Sequence, residues 1–520
     1  VAARDVVVIG SGHNALVAAC YLAREGLDVE VVERDTVLGG AVSTVERWPG
    51  YLVDRGSSAH IMVRHTGIVE DLRLDECGLT YLDMDPWGFA PFGDATKGEQ
   101  QALTFHVDLE KTCSSIAALC GDCDADAYRA FVQDWGARNE AVFDAFQDVP
   151  TAGRLGRHLW GAGKAAGVGG LEMSRQFLQP ADQLLDEHFT DERLKTALSW
   201  LGAQSGPPTH EVATADLVGW NALMHKLPPG RAVGGSGALT AALAERLRRL
   251  GGTVRLGDGA GGITRSGDRV TGVTTESGDH IGARTVVAGC HVLTTLELLA
   301  DEALLRRATT AVRVGNGIGM VVRLATTALP LYPSAGSGTT YTSMQLLAPS
   351  RSFLRSAHGA FVAGRTPEEP AVLVMTPTAL DASIAPPGRH VVTAWAQWHP
   401  YQLSTGEQWD DIREREGDRI VAQVERAAPG FTDSIEAVHV QTPLDLEREL
   451  GLRRGNVMHV EMGLDSMFSY RPLPELAGYR TPVRGLFLTG ASTHPGGGVF
   501  GASGRTAARV ALRSVRRRWR

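Results

Sequence analysis

The feature that most constrains this chain lies in its first 33 residues. Residues 6–9 (VVVI) form a continuous β-branched apolar run, the pattern of a strand buried on both faces. Gly10-Ser11-Gly12-His13-Asn14-Ala15 follows and fits G-x-G-x-x-A. Ala15, Leu16, Ala19 and Leu22 then recur at helical spacing, and Gly26 stops the helix. A second apolar run, residues 29–32, ends at Glu33, an acid about 20 residues beyond the glycines. This is a complete strand–helix–strand dinucleotide unit. Gly10 permits the tight turn, Gly12 lets backbone amides approach a pyrophosphate, and the helix N-terminus adds partial positive charge. Glu33 can accept from both hydroxyls of a ribose and would repel a 2′-phosphate. Ser11, His13 and Asn14 fall inside the same phosphate turn.

The rest of the composition narrows the class. With 51 basic and 59 acidic residues in 520, the net charge is −8, which disfavours nucleic-acid binding. Hydrophobic residues make up 43%, enough for several cores. Six cysteines in so long a chain are not a disulfide framework and suggest a reducing, cytoplasmic setting. The strand begins so early that no signal peptide is expected. No charge-free apolar run approaches the roughly 18 residues of a membrane span. No residue cluster has metal-ligand spacing.

A second glycine pair, Gly39-Gly40, stands soon after Glu33, in the stretch from Arg34 to Ala41 and Val42. An NAD site does not need it. A longer cofactor that continues past its pyrophosphate does, and this favours FAD. GSGHNALVAACYLAREGLDVEVVER, VLGGAVSTVE and PGYLVDRGSSAH together resemble the phytoene-dehydrogenase-like FAD oxidoreductases, and among them the type named for pyridine nucleotide-disulfide oxidoreductase domain-containing protein two. Many relatives carry Arg after the glycine pair where this chain has Ala41, and Arg34 or Arg47 is the candidate substitute for that charge.

The C-terminal end has a counterpart. Residues 485–490 read as a strand, followed by Ala491-Ser492-Thr493-His494-Pro495-Gly496-Gly497-Gly498-Val499 and a helix from about 501 to 512. The resemblance implies that Gly490, Ala491, Gly498 and Val499 lie along the flavin, where a helix N-terminus stabilises the negative charge of the reduced ring. His494 is a weak candidate acid or base, and a fixed role in the loop is the simpler reading.

In the middle, residues 234–237 (GGSG) precede a helix bearing Leu239, Leu243 and Leu247, and strands are expected at 253–256, 270–275 and 284–288. The resemblance returns this segment to the FAD domain, with strand backbone near Ala260 meeting the adenine. Residues 257–262 also fit G-x-G-x-x-G but lead into strand and turn, so they are rejected as a phosphate site. One dinucleotide fold without a second argues against a disulfide-reductase layout. Cys120-x-x-Cys123 sits at a helix junction and reads as two thiols rather than a redox pair. Residues 100–225 are mostly helical in pattern, 313–325 and 371–399 look like strands, and 410–428 is an amphipathic helix. On the aromatic strand VTAWAQWHPY, Trp395 or Trp398 could line a substrate cavity, as could Tyr470 in SMFSYRPLP. The tail RSVRRRWR could touch an anionic membrane surface.

The expected fold is α/β: a Rossmann-like FAD-binding domain of the amine oxidase and carotenoid desaturase type with an inserted α+β substrate domain. The expected division is FAD-binding 1–95, 226–304 and 455–520, and substrate-binding 96–225 and 305–454. The expected activity is dehydrogenation or desaturation of an apolar, natural-product-like small molecule. A flavin-dependent amine oxidase or isomerase, or a non-catalytic binding protein on the same fold, are the alternatives.

Overall fold

The computed structural model describes residues 3–93, 101–165, 167, 170–335 and 340–516. Two seven-stranded sheets organise them. The first has Arg4–Ile9 near its centre, parallel to Val29–Val32 on one side and to His280–Ala288 on the other. Val6, Val7 and Val8 are fully buried, which is why this strand is apolar at every position and not at alternate ones. His280–Ala288 does double duty. Its first half pairs antiparallel with Arg269–Thr275, and its second half lies between Arg4–Ile9 and Leu486–Leu488. Thr253–Arg255 and Ala260–Ser266 complete the sheet.

Helix His13–Arg24 covers one face of this sheet, and the C-terminal helix Ala502–Arg516 packs upon it. The closeness of that packing depends on Gly504. A methyl group there would lie inside van der Waals contact of the Asn14 carbonyl. Helix Gly237–Arg249 buries Leu239, Leu243 and Leu247 against the same core.

The second sheet runs in the order Ile435–Gln441, Gly319–Thr326, His390–Gln397, Val372–Met375, Met344–Leu347, Gly88–Phe92, Gln101–Phe105. All eight residues of Gly319–Thr326 are buried, since helix Trp409–Ala427 closes one face of the sheet and further packing closes the other. The helices expected between 100 and 225 are present, Asp122–Phe146 the longest.

The mixed α/β class is as expected, and particular boundaries differ. Gly88–Phe92, within the segment assigned to 1–95, is a strand of the second sheet, and Gln101–Phe105 is a strand inside the segment read as mostly helical. Residues 371–399 hold two strands separated by short 3-10 turns at Pro377–Ala379 and Ala382–Ile384. Residues 257–262 lead into strand Ala260–Ser266, with no helix behind the glycines. No helix among the described residues is long and apolar enough to cross a membrane. The basic tail reaches Arg516 as helix, and its last four residues, on which the membrane-surface expectation partly rests, lie outside the described ones.

Candidate active site

The two sheets and the connections between them enclose a cavity of about 760 Å³. Fifteen of the sixteen positions singled out from sequence as cofactor-binding lie on its wall, and Ser11 is the exception. At one end the chain leaves strand Arg4–Ile9 through Gly10 at φ +90 and enters the helix at Gly12. No side chain caps this helix and no acid stands in its first turn, so the amides of that turn have no side-chain partner. A Cβ on Gly12 would meet nothing within 4 Å, and one on Gly40 would come only to 4.0 Å from the Gly12 Cα. The two glycine turns are thus neighbours, and the space that a side chain on Gly12 would take is open.

Glu33 is placed by its neighbours. Its Oε2 accepts from the Ser11 amide at 2.7 Å and the Ser11 hydroxyl at 2.8 Å, and its Oε1 accepts from the Asp35 amide at 2.9 Å. Ser11 Oγ in turn accepts from the Gly39 amide at 3.0 Å. Ser11 therefore backs the acid and ties the three turns together, instead of facing the cavity itself. Ala41 and Val42 continue the wall beside the glycine pair. Of the two candidate cations, Arg34 lies on the wall beside Ala260, whereas Arg47 is off it and pairs with Glu449 at 3.9 Å.

The C-terminal loop adjoins the first glycine turn. Gly490, Ala491, Gly498 and Val499 line the cavity, and the His13 ring joins the two ends of the chain. Asn14 Nδ2 lies 3.0 Å from His13 Nε2, and the ring is hydrogen-bonded to the Gly498 backbone. Burial holds this imidazole neutral, at about 4. Arg471, fully buried, staples the loop from behind. It donates to the Ala491 carbonyl at 3.0 and 2.6 Å, and to the carbonyls of Met458, Glu461, Val460 and Ser466 at 2.8 to 3.3 Å.

His494 is behind the loop and not on the wall. It is fully buried, its Nε2 is 3.0 Å from the Ala145 carbonyl, and its own carbonyl accepts from the Tyr479 hydroxyl at 2.7 Å. Burial lowers it to about 4. That environment suits a structural ring and no acid–base step is assigned to it.

Two further histidines do reach the cavity, and sequence reasoning missed both. The His291 and His459 rings lie 5.3 Å apart. The Leu293 amide donates to His291 Nδ1 at 3.1 Å, so the N–H on Nε2 serves the His459 carbonyl at 3.0 Å. Ser492 Oγ accepts from the Val292 amide at 3.0 Å and lies 3.2 Å from His459 Nδ1, to which its hydroxyl hydrogen can donate. In that tautomer the N–H of His459 is on Nε2. His459 holds a φ of +62, uncommon for a residue with a side chain. Burial drives its pKa well below the ordinary value, so the ring is neutral.

Much of the remaining wall is apolar. Seven of the ten methionines line it, Met62, Met224, Met344 and Met375 among them. Phe146 and Trp220 stack at 5.2 Å, 8° from parallel. Trp395 is on this wall, with its Nε1 donating to Gln397 Oε1 at 3.2 Å. The other two aromatic candidates are not. The strand ends at Gln397, and Trp398, at φ +66, turns into the core against Trp200 with its Nε1 bonded to the Gly206 carbonyl. Tyr470 is 54% exposed on a 3-10 turn. Cys120 and Cys123 lie where two helices meet, off the cavity and unpaired, and burial pushes the Cys120 thiol up to about 12. Polar residues also stand on this wall, Asp216 and Asn221 among them, which the sequence did not single out.

Residues 8–72 match the NAD(P)-binding Rossmann-like domain family. Over 98% of its length the chain is 31% identical to mouse (Mus musculus) pyridine nucleotide-disulfide oxidoreductase domain-containing protein 2, of which the match spans 94%. It is 28% identical to a phytoene dehydrogenase of Streptomyces griseus, with 95% and 92% of the two chains covered. A solved oxidoreductase from Methanosarcina mazei shares the fold, at a TM-score of 0.65 and 14% identity over 98% of this chain and 100% of the other.

Proposed function

The chain belongs to the phytoene-dehydrogenase-like oxidoreductases, of the pyridine nucleotide-disulfide oxidoreductase domain-containing protein 2 type, and from this we propose that it is an FAD-dependent dehydrogenase or desaturase acting on an apolar small molecule. The observation that carries the reading is the meeting of three glycine turns from distant parts of the chain on one cavity wall, at an uncapped helix N-terminus. The residues present fit the group. Gly12 leaves open the space a pyrophosphate would fill, Glu33 is held where a ribose would lie, and Ala260 would offer strand backbone to an adenine. Residues 1–95, 226–304 and 455–520 would hold FAD, and 96–225 and 305–454 would shape the substrate space.

Bound FAD would supply the hydride acceptor at N5. The chain's own residues position and exclude. The amides of the first helical turn take phosphate charge. The loop at 490–499, ahead of helix Ala502–Arg516, sets backbone amides and a helix dipole beside the place where negative charge would develop. His459 adds a neutral N–H donor on the same side. Met62, Met344, Met375 and Trp395 exclude water and orient an apolar substrate.

The test is direct. The purified protein is expected to be yellow, with a flavin band near about 450 nm, and to bleach anaerobically with a compound from an apolar panel. A colourless protein that cannot be reconstituted with FAD would overturn the proposal.

A further inference from the structure

A carboxyl stands among the apolar groups of the cavity wall. Ala215–Gly219 is a short helix that runs directly into the 3-10 turn Trp220–His225. The Trp220 amide donates to the Asp216 carbonyl, so the two side chains lie one helical turn apart on the same face, and both line the cavity. Phe146, also on the wall, stacks on Trp220. The segment is held from behind. Asn139 Nδ2 donates to the Gly219 carbonyl at 2.8 Å, and a Cβ on Gly219 would collide with the Trp135 ring.

The Asp216 carboxyl has no side-chain partner among the described residues. It is not sealed off, since the residue keeps accessible surface and lies on the wall. Helices Asp122–Phe146, Gly170–Leu178, Ala181–His188 and Glu192–Ala203 pack against this segment, and their Arg and Lys side chains are engaged elsewhere. Arg129, Arg175, Arg193 and Lys195 pair with other carboxylates, and Arg138 donates to Gln176. Burial lifts the Asp216 carboxyl to about 6, and only the backbone amides of residues 216 and 217 resist that rise. A carboxylate held away from bulk water is costly unless a cation or a set of donors meets it. Its place on this wall therefore calls for a guest that brings the positive charge.

We infer that Asp216, with the indole of Trp220 one turn away, is a seat for an ammonium group, so that the cavity takes an alkylamine, a protonated amine on a hydrocarbon body, in preference to the alcohol of the same length. The ammonium donates to the carboxylate in a charge-assisted hydrogen bond and cancels its charge, and an indole beside a desolvated cation adds attraction. A hydroxyl donates to the carboxylate but brings no charge. Leu201, Leu217 and Met224, on the same wall, face the hydrocarbon body. The inference rests on the substrate space assigned above and names the chemistry of its occupant.

The probes are octylamine and 1-octanol, titrated calorimetrically into the full-length protein as purified, at about pH 8, where the amine is protonated and the carboxyl ionised. The quantity compared is the ratio of octanol to octylamine dissociation constants. In the parent it is expected to exceed about ten, and in Asp216→Asn to fall by about tenfold or more, the worth of a hydrogen bond to a charged group, with octanol bound about as before. Melting temperature checks the fold of Asp216→Asn, and Asp216→Ser is the second variant. Octylamine bound no more tightly than octanol by the parent overturns the inference. A preference that persists in both variants means that the net negative charge of the chain draws the amine, and overturns it as well. Flavin bleaching by hydrocarbons without an octylamine preference would remove this inference and leave the dehydrogenase reading standing. A colourless protein would refute the flavin reading while leaving this comparison measurable.

Discussion

Removing Arg471 should loosen the C-terminal loop and the cavity wall together. Its guanidinium is fully buried without a carboxylate bonded to it, and burial lowers its pKa to about 9. It serves five backbone carbonyls. The Met458 carbonyl keeps a second donor, the Val460 amide at 2.8 Å, so four acceptors (460, 461, 466 and 491) would lose their donor in Arg471→Met. At about 1 kcal/mol for each acceptor stranded out of water, the cost is on the order of 4 kcal/mol. The saving from no longer burying a charge offsets part of it. That is a large share of a typical stability of about 5–15 kcal/mol. Urea unfolding of Arg471→Met should show a midpoint lowered by the equivalent of about 2–4 kcal/mol at constant slope. Because Met458 and Ala491 are on the cavity wall, flavin occupancy should fall in parallel. A midpoint within about 0.5 kcal/mol of the parent, the ordinary range of surface substitutions, would refute the view that this side chain organises the loop.

Other consequences follow from the same geometry. Glu33→Ala removes an acceptor from Ser11 and Asp35 as well as the ribose contact, and should purify with less flavin and a higher FAD dissociation constant; equal occupancy would contradict the role given to Glu33. Five buried histidines, His60, His291, His358, His399 and His494, have pKa values pushed by burial from 6.5 to about 4, or about 3 for His60. Their folded values lie below the unfolded one, so the stability they contribute is complete above pH 6.5 and is lost as pH falls toward 4. At about 1.4 kcal/mol per pH unit for each ring, the urea midpoint should drop steeply between pH 6.5 and 5, before ordinary carboxylates protonate, and a flat midpoint there would count against neutral burial. Cys120→Ser should leave turnover and flavin reoxidation unchanged, since the thiol is in no disulfide and off the wall; slowed reoxidation in stopped flow would restore a redox role.

What could be read in advance was what is local. The first strand, its turn and its helix are encoded within 33 consecutive residues, and the C-terminal strand, loop and helix within about 30, so both appeared at their observed places. The errors came where a side chain's direction is set at long range or at an element's last residue. Alternation along the aromatic strand holds as far as Gln397 and fails at Trp398, where a left-handed turn reverses the side chain into the core. Tyr470 and Arg471 differ by one position, and the 3-10 turn exposes the first and buries the second. His459 and Asp216 carry no local signature at all. Their significance lies in a Ser492 hydroxyl and a methionine wall contributed by remote segments.

The closure of the cavity also explains the ordering of the first sheet. Gly10 and Gly498 can share a wall only if the strands that lead into them are near neighbours, and one strand, His280–Ala288, stands between them. It registers Ala288 against Ile9 on one edge and against Leu488 on the other, so all three chains emerge from the sheet at one level. Three turns leaving parallel strands at a common height direct their backbone amides at the same space, the arrangement by which open α/β sheets bind ligands beyond the carboxyl ends of their strands. The second sheet then needs no dinucleotide signature. Trp395 and Met344, on its strands, supply the apolar wall facing that space, and the chemistry at their junction is set by which polar groups, Glu33, His459 and Asp216, the fold leaves facing inward.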